Sequence, residues 1–409
     1  MDTENRIQTK GKVMVANTFN FDTPTLRENT HCEKYDGRLA KFGRADVIPL
    51  WVADMDFAAP PCVQQALAER LAHPVFGYSF APDSLYESIY GWFERRHEWK
   101  INPAQLLLTP GVVPSLFACI QALTKKGDGV IVPTPVYPPF FSAVTKSERQ
   151  LLVCPLKETN SGYSFDFDLL EQQAQQAKML LLCSPHNPVG RVWRKDELQQ
   201  LIELALRHDL IIVSDDIHCD LILRPAPSAQ PSAPTKHIPL ATLAPKELRL
   251  ITCISPSKTF NIPGLNLSAL TASHAADKKA IQQVFGKLHI NPFNPINMTA
   301  FEAAYSGGDA WLDALLVYLT SNQNFVLDNL KSTPIQCQPS EATALMWLDC
   351  RALNLSNQQL TEFFVQQAGL GLNDGFSFGA GGDGFMRLNI GTQKAVLEQA
   401  LAQLTQALV

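Results

Sequence analysis

The chain has 409 residues, of which 46% are apolar and 18% are charged, and its formal net charge is -5. This length predicts roughly two or three domains with a buried core each, in a protein of ordinary globular composition. The negative net charge argues mildly against nucleic acid as a partner, because nucleic acid attracts basic surfaces. No apolar run approaches the roughly 18 residues of a membrane span, and the first residues lack the features of a secretory signal. We therefore expect a soluble cytoplasmic protein without a membrane partner.

The nine cysteines are an odd number, scattered through apolar stretches without the paired spacing of a metal site. We expect them to be reduced thiols in the core, and we expect no bound metal. The one low-complexity segment, residues 224–235, is rich in proline and small residues. This composition predicts an exposed loop that is too short to separate domains.

Between Gln105 and Ala272, apolar strand-like runs alternate with helical patterns. Continuous apolar strands separated by helices predict a largely parallel sheet that is covered on both faces. We therefore predict a large α/β domain of the size that binds a cofactor. Its seven predicted strands are Leu106–Thr109, Val130–Pro133, Leu151–Val153, Met179–Cys183, Leu210–Val213, Leu250–Ile254 and Leu267–Leu270.

The pattern changes after Asn291–Pro295, where long helical patterns continue to about Lys331. Two strand-like runs, Ala344–Asp349 and Met386–Ile390, and an amphipathic helical pattern from Lys394 to Val409 follow. We predict a second, smaller α/β domain from these elements. The predicted divisions are residues 1–60 for an N-terminal arm that belongs in part to the small domain, 61–290 for the large domain and 291–409 for the small domain.

Three of the predicted strands end in loops that carry polar side chains. Lys258 lies in a turn-prone loop of small residues directly after Leu250–Ile254, Asp215 follows an apolar run, and Asn187 follows another. Ligands of open α/β sheets collect at the carboxyl ends of the strands. The sequence thus places an amine, an acid and an amide where a ligand would bind, and Lys258 is a candidate for forming a Schiff base.

Each of these three residues also has a simpler interpretation. A lone lysine is ordinarily a solvated surface residue. An aspartate after a strand is often a helix cap, for which Asp216 is a second candidate beside Asp215. Asn187, which stands before a proline, could be a turn residue with only a backbone role.

Two further patterns indicate anion binding. The segment after the strand Leu106–Thr109 begins an apolar helix, and backbone N–H groups at a helix N-terminus can bind a phosphate. An ordinary helix start with Pro114 in its first turn gives the same pattern. Arg387 lies in an apolar strand, and its guanidinium group matches a substrate carboxylate bidentately, the alternative being a surface ion pair. The candidate phosphate donors are the backbone groups of Gly111, Val112 and Val113 and the hydroxyl groups of Ser255 and Ser257.

The order of amide, acid and lysine resembles the fold-type I pyridoxal 5'-phosphate (PLP) enzymes, the aspartate aminotransferase superfamily, from about Asp36 to the C-terminus. Ordinary aminotransferases of that superfamily usually place a phosphate-binding arginine eight residues after the lysine, where this chain has Asn266. This difference favours a lyase branch. Five segments closely resemble its MalY/PatB-type cystathionine β-lyases: Leu50–Phe57, Ser184–Trp193, Ser214–Asp220, Pro256–Gly264 and Ala303–Leu312.

The resemblance implies PLP as the cofactor and assigns a role to each candidate. Lys258 would hold the cofactor aldehyde and then act as the base at the substrate Cα, while Asp215 would pair with the protonated pyridine nitrogen. Asn187 would donate to the ring's O3' oxygen, and His218 occupies the position of a tyrosine that also approaches O3', unless it is only a packed histidine. Tyr137 would stack on the ring, although an aromatic residue beside prolines is more often plain packing.

The resemblance also implies a homodimer with shared active sites, since Tyr78 would reach the phosphate bound by the other subunit. The implied reaction is α,β-elimination from cystathionine or another S-substituted cysteine, which yields pyruvate, ammonia and a thiol. An aminotransferase with the same residues is the main alternative, and a PLP-binding regulatory protein is another. Departures from the branch leave the substrate preference open: Asp216, Tyr35 and Ala344 stand where Glu, Trp and Tyr are usual.

Overall fold

A computed structural model describes residues 19–159, 162–223 and 236–409. The predicted loop at 224–235 and the first part of the predicted N-terminal arm, residues 1–18, lie outside the described residues. The strands are β1 (Ile48–Pro49), β2 (Leu106–Thr109), β3 (Gly129–Thr134), β4 (Gln150–Pro155), β5 (Lys157–Thr159), β6 (Gly162–Ser164), β7 (Ala177–Cys183), β8 (Ile211–Asp215), β9 (Leu250–Ile254), β10 (Ser268–Ala272), β11 (Gln336–Cys337), β12 (Leu345–Asp349), β13 (Leu370–Gly371), β14 (Asn373–Asp374) and β15 (Phe385–Asn389).

The α-helices alternate with these strands in the first part of the chain, and longer helices follow one another directly after β10. They are α1 (Glu33–Asp36), α2 (Arg38–Phe42), α3 (Pro61–Ala72), α4 (Asp83–His97), α5 (Val112–Leu123), α6 (Pro139–Thr145), α7 (Phe167–Ala174), α8 (Lys195–Arg207), α9 (Ala275–Lys287), α10 (Pro295–Gly307), α11 (Asp309–Leu330), α12 (Asn357–Glu362) and α13 (Lys394–Ala407).

The seven predicted strands all belong to one seven-stranded sheet, in the order β2-β10-β9-β8-β7-β3-β4. Its central strands are buried along their whole length, as their continuous apolar sequences predict. Neighbours from β9 to β4 run parallel, whereas β10 is antiparallel to both β2 and β9. The prediction of a largely parallel sheet is therefore confirmed.

The register of the central strands brings three loops together. Cys183 at the end of β7 is opposite Asp215 at the end of β8, and Asp215 is opposite Cys253 near the end of β9. The carboxyl ends of these three parallel strands thus meet at one edge of the sheet. The loops that carry Asn187 and Lys258 leave from this edge, beside Asp215.

A second sheet has the order β11-β12-β15-β14 and contains both strands predicted in the C-terminal part. The helix predicted at the C-terminus is present as α13. The short strand β1 pairs in parallel with β13, so the N-terminal segment contacts the C-terminal part of the chain. Helix α10 packs against α3 and α4, with the rings of Tyr305 and Trp92 stacked 5.1 Å apart. The domain boundaries at 60 and 290 stay a prediction.

All nine cysteines are free thiols, and six of them are buried in the core, as the sequence predicts. Within the described part of the chain, no helix combines the length and the apolar character that crossing a bilayer requires.

Candidate active site

A cavity of about 360 Å³ lies at the edge of the large sheet where β7, β8 and β9 end. The sequence predicts twelve residues at a ligand site. Ten of them line this cavity, Arg387 contacts the lining residue Asn187, and Tyr78 lies elsewhere. The ten predicted residues that line it directly are Gly111, Val112, Val113, Tyr137, Asn187, Asp215, His218, Ser255, Ser257 and Lys258.

Lys258 reaches this cavity from the loop after β9. Its Nζ atom donates a hydrogen bond to the Ala53 carbonyl oxygen at 2.7 Å. Burial of the amine lowers the pKa of Lys258 from 10.5 to about 8, although the Asp54 carboxylate acts in the opposite direction. About a tenth of this amine is therefore neutral at pH 7, and the neutral form is the one that a nucleophile or base requires.

Asp215 ends β8 and is buried at the floor of the cavity. Its Oδ1 atom accepts a hydrogen bond from the backbone N–H of Ile217 at 3.1 Å. Burial raises the pKa of Asp215 from 3.8 to about 7, and the neighbouring charge of Asp216 adds to this shift. A cation beside Asp215 would oppose both effects and favour the carboxylate form.

The alternative interpretation of Asp215 and Asp216 as helix caps is wrong, because a turn rather than a helix follows β8. Asp216 accepts hydrogen bonds from the Ser214 hydroxyl at 2.5 Å and pairs with His237 Nε2 at 2.9 Å. The Asp216 carboxylate is thus hydrogen-bonded to side chains in the protein interior beneath the cavity.

Arg387 contacts Asn187, which lines the cavity. Arg387 Nη1 donates to Asn187 Oδ1 at 3.1 Å, and Nη2 donates to Trp51 O and Asn373 Oδ1 at 2.8 and 2.7 Å. The residue is buried, at 4% exposure, so the alternative of a surface ion pair is wrong. Burial lowers the pKa of Arg387 from 12.5 to about 10, so the guanidinium group is still charged at neutral pH.

His218 and Tyr137 complete the inner wall. Burial, reinforced by the charges of Lys258 and Arg387, lowers the pKa of His218 to about 3, so the imidazole is neutral. Burial also raises the pKa of Tyr137, whose phenol therefore keeps its proton. Both rings line the cavity rather than an unrelated part of the core.

The predicted phosphate donors line the outer part of the cavity. Helix α5 begins at Val112 with Gly111 before it, so its first N–H groups have no partner within the helix. The Ser255 hydroxyl group donates to Leu267 O at 3.0 Å and accepts from the Ser257 backbone N–H at 3.2 Å. The Ser257 hydroxyl group, by contrast, has no hydrogen-bond partner among the described residues.

Tyr78 does not reach the cavity of its own chain. Its side chain is fully exposed in the segment between α3 and α4. Valine and phenylalanine side chains beside it are also exposed, at 62% for Val75, 57% for Phe76 and 81% for Phe80.

The sequence did not reveal how the segment Trp51–Phe57 is held over the lysine. Asn261 accepts from the Met55 backbone N–H and donates to the carbonyl oxygens of Met55 and Phe57. Asn389 donates to the carbonyl oxygens of Val52 and Asp54, both at 2.6 Å. These contacts join residues more than 200 positions apart, and the likeness of Leu50–Phe57 to the lyase branch was the one sign that this segment matters.

Comparison with known proteins places the chain in a family. A family model described as aminotransferase class I and II matches residues 45–404. The chain belongs to this family. It is 38% identical over 396 residues to cystathionine beta-lyase PatB of Bacillus subtilis (strain 168), with 95% of this chain and 100% of the relative covered.

Two solved structures extend this comparison. A PLP-bound putative aminotransferase from Clostridium difficile 630 has a TM-score of 0.91 and 38% identity, covering 96% of this chain and 100% of that one. A PLP-bound C-S lyase from Staphylococcus hominis has a TM-score of 0.86 and 29% identity, covering 96% and 98%. The predicted fold-type I architecture and the predicted likeness to the cystathionine β-lyase branch are confirmed.

The residues of the cavity fit PLP. Two buried polar atoms, Arg387 Nε and His218 Nδ1, have no hydrogen-bond partner in the part of the chain that the structure describes. Buried polar atoms are ordinarily paired, so both indicate a polar ligand. The cavity also offers a partly neutral amine at Lys258, a carboxylate at Asp215 and helix N–H groups, which match an aldehyde, a ring nitrogen and a phosphate.

Proposed function

We propose that this chain is a PLP-dependent carbon–sulfur β-lyase that cleaves cystathionine or related S-substituted cysteines to pyruvate, ammonia and a thiol. The observation that carries the proposal is the convergence of Lys258, Asp215 and Arg387 on one cavity. The full-length likeness to a cystathionine beta-lyase supports this choice of reaction.

In this proposal the cavity walls hold the cofactor at each of its polar groups. Asp215 would pair with the ring nitrogen, because a proton on the ring and a buried carboxylate stabilise each other. Asn187 and the neutral His218 would bind the ring oxygen, and Tyr137 would pack on the ring face. The N-terminus of α5 and the Ser257 hydroxyl would bind the phosphate, and the Ser255 hydroxyl would do so on leaving Leu267 O.

When bound, PLP supplies an electron sink for the negative charge that develops at the substrate Cα. Lys258 Nζ would hold the cofactor aldehyde, and as a free amine in the presence of substrate it would accept the Cα proton. The thiolate at Cβ then leaves with the electron pair of the broken C–S bond and takes a proton. Water hydrolyses the remaining enamine to pyruvate and ammonia.

Arg387 orients the substrate by its α-carboxylate. Its Nε atom has no partner in the described part of the chain, whereas Nη1 and Nη2 donate to Asn187, Trp51 and Asn373. A guanidinium group held this way keeps one orientation, which aligns the Cα–H bond with the lysine.

We further propose a homodimer in which Tyr78 contributes to the active site of the partner subunit. Tyr78 and its exposed apolar neighbours form a surface that a second copy would cover. Mixing Lys258→Ala and Tyr78→Ala subunits tests this: each variant alone should be nearly inactive, whereas random mixing should restore about a quarter of wild-type activity because hybrid dimers contain one intact site. No gain on mixing would place Tyr78 outside the partner's site.

The free thiols suit a reducing compartment, and we infer a cytoplasmic location. The function itself is tested by incubating the PLP-loaded protein with L-cystathionine and measuring pyruvate, ammonia and homocysteine, with Lys258→Ala as the control. Equal amounts of the three products from the wild type and none from the variant are expected. Turnover that is undiminished in the variant would remove Lys258 from the reaction.

A further inference from the structure

A second buried acid lies behind the lysine loop. Asp220 follows Asp215 by five residues, in the turn after β8, and is 5% exposed. Backbone hydrogen bonds from Cys219 N to Asp216 O and from Leu221 N to His218 O fix this turn. The position of the Asp220 side chain is therefore rigidly related to Asp215 and His218.

The Asp220 carboxylate accepts hydrogen bonds from three side chains. Oδ1 is 2.7 Å from His97 Nε2 and 3.1 Å from Trp92 Nε1, both on α4, while Oδ2 is 2.8 Å from the Thr259 hydroxyl oxygen. All four side chains are buried. Burial alone would raise the pKa of Asp220, but the hydrogen bonds from His97, Thr259 and Trp92 hold it below its ordinary value, so the acceptor is an ionised carboxylate.

Thr259 directly follows Lys258 in the chain. The Asp220 carboxylate consequently joins the turn that follows Asp215 to the loop that carries Lys258, and it connects both to α4. Other contacts hold the loop elsewhere: Lys258 bonds to Ala53 O, and Asn261 bonds to the backbone of Met55 and Phe57. The contact of Thr259 with Asp220 links the loop to the turn after β8. The Asp220 carboxylate thus contributes to fixing the distance between the acid and the lysine, beside the pairing of β8 with β9.

The same region contains the grouping of His97, Cys219 and Asp220, whose ligand atoms lie within 4.8 Å of one another. Such a grouping has the composition of a metal site. Both Asp220 oxygens, however, already accept hydrogen bonds from N–H or O–H donors. Three side-chain groups already surround the two oxygens, which is the arrangement of a hydrogen-bonded carboxylate.

We propose that Asp220 is a positioning residue that acts through the Thr259 hydroxyl group to fix Lys258 relative to Asp215. The inference rests on the proposed lyase function, in which Lys258 moves the Cα proton. Displacing a proton acceptor by about 1 Å can cost on the order of 100-fold in rate, so loss of one anchor has a measurable effect.

The test compares three variants of the PLP-loaded enzyme. Thr259→Val removes the hydroxyl group that Asp220 binds, and Thr259→Ser keeps it. Thr252→Val on β9 is the matched control, because the Thr252 hydroxyl is buried on the strand that leads to Lys258 and has no hydrogen-bond partner in the described part of the chain. The readouts are kcat and KM for L-cystathionine, the visible circular dichroism of the bound cofactor, and Tm.

For Thr259→Val we expect kcat to fall about tenfold with KM changed less than about twofold, and we expect an altered visible circular dichroism signal. Thr259→Ser should restore both, and Thr252→Val should leave both unchanged. Asp220→Asn, if it folds, should lose about 100-fold in kcat, since an amide N–H would face the donors.

Three results would overturn the inference: a Thr259→Val enzyme with normal kcat and circular dichroism, a Thr259→Ser enzyme as impaired as Thr259→Val, or a Thr252→Val enzyme impaired to the same degree. Wild-type enzyme that binds PLP but releases no pyruvate would instead refute the proposed function. In that case the circular dichroism comparison alone still decides whether Asp220 positions the lysine.

Discussion

The depressed pKa of Lys258 predicts how covalent capture of PLP by the apoenzyme depends on pH. Only the neutral amine attacks an aldehyde, so the capture rate should rise with pH to a midpoint near 8 instead of 10.5. That difference corresponds to roughly 3 kcal/mol. At pH 7 about one amine in ten would be neutral, compared with about one in three thousand for an ordinary lysine.

The charge of Asp54 supplies a directed perturbation of this midpoint. Its carboxylate opposes the effect of burial on Lys258 and forms a bidentate pair with Arg27, at 2.6 and 3.1 Å. Asp54→Asn removes the opposing charge, while Arg27 keeps its pair with Asp56 at 2.6 Å. The midpoint should therefore move below that of the wild type, by on the order of 0.5 pH units. Asp46→Asn is the control, because Asp46 forms a similar pair with Arg44 on the exposed surface.

Stopped-flow absorbance of apoenzyme mixed with PLP at a series of pH values measures these midpoints. The same series with N-acetyl-lysine corrects for the titration of PLP itself. A wild-type midpoint near 10.5, or an upward shift in Asp54→Asn, would refute the view that burial, opposed by Asp54, sets the state of the lysine.

The remaining predictions concern the three polar residues of the cavity. Lys258→Ala should lose the absorbance that the covalently held cofactor gives near the visible edge; a retained band in the spectrum would contradict the central assignment. Asp215→Ala should keep bound PLP but lose at least about 100-fold in kcat, and near-normal turnover would exclude a role for this acid. Arg387→Lys should raise KM for L-cystathionine about tenfold or more while changing kcat less, because an ammonium group cannot keep the contacts with Asn187, Trp51 and Asn373 and also present a fixed donor to the carboxylate. An unchanged KM would exclude Arg387 as the carboxylate donor.

Much of the large sheet could be predicted from the sequence because its strands are buried on both faces. Leu106–Thr109 and Leu250–Ile254 were predicted with the bounds that the structure has, since continuous apolar runs end at polar or turn-forming residues. The strand order and the antiparallel direction of β10 depend on tertiary pairing, on which a local pattern carries no information.

The same distinction applies to the site. Lys258, Asp215 and Asn187 follow strands whose ends the sequence reveals, so their convergence could be predicted. The contacts of Arg387 with Trp51 and of Thr259 with Asp220 join distant parts of the chain. No periodicity in the sequence marks such contacts, and only the folded structure identifies them.

The measurement that tests the central claim most directly is pyruvate release from L-cystathionine by the purified PLP-loaded protein, with and without an added keto acid. An aminotransferase needs a keto acid to regenerate its cofactor, whereas β-elimination does not. We predict pyruvate at the same rate in both conditions. Turnover that requires the keto acid and yields no pyruvate would contradict the lyase assignment and identify an aminotransferase.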